Sequence, residues 1–137
     1  MYTILIVDDE RPAQTFLKAI CQKYCPAFDT ILLSGSADDA LQLMAQQHVH
    51  VLVTDISMPG INGIELAQRV RQLYPRTHTV IVSGYAEFEF ARGAIQAGVD
   101  DYLLKPVEIQ SFRQILDRIR ETLDAVANIL MEVTLTC

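Results

Sequence analysis

The chain has 137 residues, half of them hydrophobic, with 17 acids against 11 Lys and Arg and a formal net charge of −6. That length suits one domain with a real core, and the acidic balance excludes a chain that grips a phosphate backbone by itself, because such binders cluster Lys and Arg. No apolar run reaches the roughly 18 residues of a membrane span, and the first residues carry no basic, cleavable leader, so a cytoplasmic protein that does not enter a membrane is expected.

The opening run, residues 3–7 (TILIV), is short, β-branched and apolar, which predicts a buried strand. It ends in three adjacent acids, Asp8, Asp9 and Glu10, and Pro12 then suits the first turn of a helix over 13–24. Cys21 and Cys25 stand one helical turn apart. With Cys137 they make an odd count, without His or Cys partners at ligand spacing, and read as core thiols of a reducing compartment.

A second strand is predicted at 30–33, and Ser36 with Asp39 three residues on forms a capping-box pattern for a helix over 37–47. His48 and His50 alternate into a third strand, 50–54, and read as solvent-facing; His78 has no ligand partner. Asp55 ends the third strand. Gly60 and Gly63 in MPGING serve a turn and the entry to a helix over 63–73, which Tyr74-Pro75 closes. The fourth strand, 79–82, leads to Ser83. A helix over 87–97 follows, opening with EFEF, and Gly98 stands where a C′ glycine belongs. The fifth strand, 101–104, leads to Lys105-Pro106 and a last helix starting near Glu108. From Phe112, the residues Ile115, Leu116, Ile119, Leu123, Val126, Ala127 and Leu130 keep helical spacing past the length one domain needs. Two readings stay open: a tail that protrudes or pairs with another copy, and a tail that frays into a linker.

Strand then helix, five times over, predicts an α/β fold with a doubly wound parallel sheet, because parallel strands need right-handed crossovers. In such sheets ligands sit outside the carboxyl ends of the strands. That rule brings Asp8, Asp9, Asp55, Ser83 and Lys105 to one crevice. Three carboxylates suit a hard divalent cation such as Mg²⁺. Without a cation, mutual repulsion is expected to raise the proton affinity of at least one of the three; with it, all three stay ionised. A carboxylate beside Mg²⁺ and an ammonium can attack phosphorus and become an aspartyl phosphate, and Asp55, alone at its strand end, is the best-placed nucleophile. No G-x-G-x-x-G follows the first strand, which counts against a dinucleotide site.

The stretches LIVDDE, VLVTDISMPGINGIEL, IVSGY and DYLLKP, in this order and at these intervals, resemble the response-regulator receiver domain of bacterial two-component signalling over about residues 3 to 123. The resemblance implies a flavodoxin-like sheet order 2-1-3-4-5. It implies Asp55 as phosphoacceptor, charged from a phosphohistidine on a sensor histidine kinase, and Mg²⁺ held by Asp9, Asp55 and the main-chain carbonyl of Ser57, with Asp8 acting through water. It further implies Ser83 and Tyr102 as the switch pair, Lys105 as the partner of the phosphoryl group, and a cis Lys105-Pro106 bond. The receiver is thus read as residues 1–123, and residues 124–137 as a helical extension or the start of a linker.

SGYAEFEFARGAIQAGVDDYLLKPV further resembles receivers that precede an AraC-type DNA-binding output domain, so DNA is expected only through a domain absent from this chain. The implied role is a signalling switch and not an enzyme in the usual sense: self-phosphorylation and autodephosphorylation only, with a shift in the face built by the fourth helix, fifth strand and last helix that favours a homodimer. Two rivals are kept. A phosphohydrolase of the haloacid-dehalogenase type would use Asp8 as nucleophile, but Glu10 stands where that family has Asp, and no cap domain is present. A non-reacting pseudo-receiver would bind partners regardless of Asp55.

Overall fold

The computed structural model describes residues 1–84, 92 and 98–136. Its elements run β1 (Thr3–Val7), α1 (Arg11–Tyr24), β2 (Thr30–Ser34), α2 (Ala37–Gln46), β3 (Val51–Asp55), α3 (Gly63–Leu73), β4 (His78–Ser83), β5 (Asp101–Leu104) and a C-terminal helix (Ile109–Thr136). The helix expected over 87–97, including EFEF, lies outside the described residues. Gly98 has φ +118°, a conformation suited to glycine.

The five strands form one parallel sheet in the order β2-β1-β3-β4-β5. This is the flavodoxin-like arrangement the sequence predicts. β1 pairs with both β2 and β3, so the chain reverses its direction of travel across the sheet there. A crevice opens at that switch point, at the carboxyl ends.

Alternation along the strands divides the core in two. Ile4, Ile6, Val51, Val53, Val80 and Val82 meet Leu17 and Cys21 of α1 and Phe112, Ile115, Leu116 and Ile119 of the C-terminal helix. Leu5, Val7 and Leu52 face the other way, onto Ala40 and Met44 of α2 and Leu66 and Val70 of α3. Both faces are covered, which is why the strands read as continuous apolar runs. Each such side chain contributes roughly 1.5–3 kcal/mol on full burial.

The helix starts follow from local chemistry. Ser36 Oγ accepts the Asp39 N–H at 3.1 Å, and Asn62 Oδ1 accepts the Glu65 N–H at 2.9 Å, each satisfying an otherwise orphaned donor. Pro12 sits in the first turn of α1. Tyr74 caps α3, whose next residue is Pro75. Cys21 and Cys25 are buried free thiols, as expected, and burial pushes the Cys21 thiol up to about 12.

The expectation that His48 and His50 both face solvent is corrected at His50. The His50 ring is half-buried, and its Nδ1 accepts the Thr3 N–H at 2.9 Å while the His50 backbone N–H donates to the Thr3 carbonyl. The strand alternation could not show that the backbone donor of Thr3, at the start of β1, would find its partner in the His50 ring. Burial, and then the neighbouring His48 ring at 4.3 Å, hold its pKa below the usual histidine value. A base whose pKa falls on folding favours the fold while neutral, and that advantage is lost as pH drops below the unfolded value of about 6.5. The melting temperature of the native chain is therefore expected to fall between about pH 7.5 and about pH 5.5 more steeply than that of His50→Gln, whose amide oxygen can still accept but does not titrate. Equal slopes in a thermal-melt pH series would contradict this role.

Candidate functional site

The crevice takes its carboxylates from two neighbouring strand ends. Val7 is the last residue of β1, and Asp8 follows with its N–H on the Ser34 carbonyl at 3.0 Å. Its Oδ1 accepts the Glu10 N–H at 2.9 Å, so the acidic run turns back on itself before α1 begins. Gln14, one turn into α1, donates its amide to the carbonyls of Asp8 at 2.6 Å and Ser34 at 3.0 Å, locking the ends of β1 and β2 to the helix. Asp55 is the last residue of β3, not the residue after it as predicted, and it pairs in register with Val82 of β4. Sheet pairing therefore fixes its backbone.

Asp8 and Asp55 are 3% and 6% exposed, whereas Asp9 faces solvent. One carboxylate oxygen from each of the three lies within 4.8 Å of the others. From β5, the chain brings Lys105 across: its N–H bonds the Ser83 carbonyl at 2.8 Å, and its ammonium reaches Asp55 Oδ2 at 3.2 Å and Asp8 Oδ2 at 3.4 Å. The Lys105-Pro106 bond is cis. Three acids and one ammonium thus share a crevice whose Asp8 and Asp55 are buried and whose Asp9 is open to solvent.

Burial pushes the Asp55 carboxyl above its usual range; Lys105 pulls it back, and Asp8 adds a smaller upward push. The expected crowding effect is present, but loss of water outranks it. Burial also pulls on the Lys105 ammonium, yet Asp55 and Asp8 outweigh that pull and leave its pKa raised, so it stays charged.

Ser83 is fully buried at the end of β4, and its hydroxyl is hydrogen-bonded to the Tyr102 hydroxyl from β5. The two residues expected to form a switch therefore hold each other. Ser57 lies exposed two residues past Asp55.

Gly63 has a role beyond helix entry. A Cβ there would lie 1.9 Å from the Asp55 carbonyl oxygen, and the Gly63 N–H bonds the Ile56 carbonyl at 3.0 Å. The first turn of α3 thus presses on the backbone that carries Asp55. One usable sign of this was the Asn62-Gly63 pair at the helix start. Gln14 had none, since a Gln six residues after an Asp is not a motif. Phe16 was also overlooked: it is 43% exposed and, with Pro12, Ala13, Pro106 and Val107, forms an apolar ledge beside Asp8 and Lys105.

The donor set fits Mg²⁺. Hard carboxylate oxygens converge from Asp8, Asp9 and Asp55 with room for waters on the exposed Asp9 side, which is how this ion is usually bound.

Comparison with known proteins agrees with this geometry. The family described as the response regulator receiver domain matches residues 4–117. The chain is 37% identical over 123 residues to the transcriptional regulatory protein HptR of Staphylococcus aureus, covering 90% of this chain and 48% of that protein. It is 33% identical over 119 residues to the transcriptional regulatory protein YesN of Bacillus subtilis, covering 87% and 32%. The chain therefore spans a third to a half of these relatives' length. Among solved structures, the REC domain of AraT, a response regulator from Geobacillus stearothermophilus, superposes with a TM-score of 0.83 at 30% identity, covering 92% of this chain and 98% of that one. A two-component transcriptional regulator AraC from Clostridium phytofermentans gives 0.75 at 29%, covering 88% and 97%. With the sheet order, the acidic crevice and a match over most of its length, this chain belongs to the response-regulator receiver family.

Proposed function

We propose that the domain is a phosphorylation-dependent switch that takes a phosphoryl group onto Asp55 from the phosphohistidine of a sensor kinase. The observation that carries this reading is the buried Asp55 carboxylate, set against Asp8 and Asp9 with the Lys105 ammonium at 3.2 Å. A carboxylate oxygen of Asp55 attacks phosphorus and the N–P bond breaks. Its electron pair stays on the imidazole nitrogen, and the acyl phosphate forms. Asp9, Asp55 and the Ser57 carbonyl, with Asp8 through water, would hold Mg²⁺, which would supply charge neutralisation at the transferring group. Lys105 is close enough to exchange one carboxylate partner for a phosphoryl oxygen.

The new group adds charge and three acceptor oxygens where the apo site holds a carboxylate and an ammonium. Ser83, hydrogen-bonded to Tyr102 in the resting site, would turn its hydroxyl toward the new group and loosen that bond. Tyr102 then repacks, and the face built by β5 and the C-terminal helix changes shape. That change controls dimerisation, or a DNA-binding output domain in a longer protein. A bistable pair of this kind needs about 5.5 kcal/mol of differential interaction to pass from mostly off to mostly on. No helix among the described residues is long and apolar enough to cross a membrane, which accords with a cytoplasmic setting.

Intact-protein mass after incubation with acetyl phosphate tests the reading. One added phosphoryl group that requires Mg²⁺ and disappears in Asp55→Asn is the expected result. Addition that persists in Asp55→Asn but is lost in Asp8→Asn would favour the phosphohydrolase rival, and no addition under any condition would favour the pseudo-receiver.

The ledge around Phe16 fits the kinase, since it is exposed, apolar and beside Asp8 and Lys105, whose ammonium reaches Asp55. Phe16→Asp is expected to slow transfer from the cognate kinase by about a hundredfold, as loss of a central aromatic anchor does, while leaving uptake from acetyl phosphate unchanged. Equal losses from both donors would remove the ledge from the account.

A further inference from the structure

The far end of the sheet carries a second concavity. Tyr2 stands just before β1, His48 and His50 lead into β3, and His78 opens β4, so these rings gather at the amino ends of the strands, opposite the Asp55 crevice. The C-terminal helix runs past the strand starts, and its Leu123, Val126, Ala127 and Leu130 close one side of a cavity of about 560 Å³. That size is within the range of sites that take small molecules.

The two walls differ in chemistry. The helix side is aliphatic apart from Thr122. The other side holds His48, His50, His78 and the exposed Arg76, whose guanidinium has no hydrogen bond or ion pair among the described residues. The His50 Nδ1 accepts the Thr3 N–H at 2.9 Å, so the neutral ring carries its proton on Nε2. That N–H has no acceptor among the described residues. It lies at an accessible surface, since no buried side-chain nitrogen there goes unpartnered. Although the chain has a net charge of −6, no acid lines the cavity. Asp100 and Asp124, which touch its lining residues, are already engaged: Asp100 with His78 Nδ1 at 3.0 Å, and Asp124 with the Tyr2 hydroxyl and Arg120.

We propose that this cavity binds a small amphipathic carboxylate, its head held on the wall of Arg76 and His50 and its apolar body laid along the C-terminal helix. A planar guanidinium matches a carboxylate in fork geometry, and the aliphatic wall favours a body that inorganic anions lack. A metal ion fits poorly. The Nδ1 lone pair of His50 is taken and its Nε2 is protonated, and among the described residues the histidines form no cluster at metal-ligand spacing. The site stands apart from the phosphorylation reading, because neither Asp55 nor the switch pair lines it. A bound carboxylate bridges the C-terminal helix to the strand starts, which gives the domain an input separate from Asp55.

Titration of the isotope-labelled chain with sodium decanoate, followed by amide NMR shifts, tests the site. Saturable shifts at the cavity residues are expected, with a dissociation constant on the order of 100 µM for a ligand of this size. Arg76→Gln should weaken binding at least about tenfold, through loss of a charge-assisted fork, and Leu130→Gln should weaken it from the apolar side. Arg69→Gln, exposed on α3 and outside the cavity, should bind like the native chain. Decanol, which has the body without the charge, and acetate, which has the head without the body, should each bind at least about tenfold more weakly than decanoate. Arg76 and Leu130 are both exposed, so native-like melting verifies that the variants fold. The proposal is overturned by the absence of saturable shifts, by shifts centred outside the cavity, or by equal decanoate binding to the native chain and Arg76→Gln. Decanol or acetate binding as tightly as decanoate, or an equal loss in Arg69→Gln, overturns it too.

Discussion

Asp55→Asn is expected to abolish phosphoryl uptake and, without Mg²⁺, to make the domain more stable. The two effects share a cause. Burial raises the Asp55 carboxyl above its usual range, and Asp8 adds to it. An acid whose pKa rises on folding makes the fold less stable as pH climbs past the unfolded value of about 3.9. Asn fills the same space without a charge to desolvate. Lys105 keeps Asp8 as a partner at 3.4 Å. A gain of about 1 kcal/mol is the expected size, similar to that of other substitutions that relieve strain at functional sites. Mg²⁺ should invert the order. The ion binds the folded native site and stabilises it by mass action, whereas the variant has lost one of its three carboxylates. Thermal melts of both proteins across a Mg²⁺ series check the crossing. A less stable Asp55→Asn in chelator would mean that the Lys105 pairing outweighs the desolvation of Asp55.

Gly63→Ala is the second large effect. The added methyl would sit 1.9 Å from the Asp55 carbonyl oxygen and 2.7 Å from its carbon, both backbone atoms fixed by sheet pairing. No rotamer change relieves that contact, so either α3 withdraws from the sheet or the end of β3 moves. A cost of about 3 kcal/mol is expected, at the upper end for overpacking a well-packed site. Residual folded protein should also take up phosphoryl groups more slowly, because the displaced atoms carry the acceptor. Gly60→Ala separates this from a general glycine effect: Gly60 has φ +79° with open space around its Cβ position, so its cost is local backbone strain of about 1 kcal/mol. Chemical denaturation with uptake rates measures both. Equal losses in the two variants would show that the close approach at Asp55 is unimportant.

The contrast between these glycines shows what the sequence could and could not reveal. Strand periodicity, the Ser36 cap and the stop at Tyr74-Pro75 are local properties, and they place the elements to within a residue or two. The convergence of Asp8, Asp9, Asp55 and Lys105 was also legible, because a single rule about strand ends turns chain order into spatial proximity. What stayed hidden depends on through-space fit. The approach of Gly63 to Asp55, the Gln14 bridge between two carbonyls and the Thr3 donor satisfied by His50 each join residues with no pattern between them. The strand boundaries shifted for a similar reason: hydrogen bonding to β4 carries β3 through Asp55, although hydropathy ends at Thr54. The Ser83–Tyr102 bond was not foreseen either; the sequence could nominate both residues but not pair them in the resting state.

The most direct measurement is chemical mapping of the modified carboxylate: incubation with acetyl phosphate and Mg²⁺, borohydride reduction of the acyl phosphate, and peptide sequencing. The account predicts homoserine at position 55 and nowhere else. Homoserine at position 8 or 9, or none at all, would contradict it.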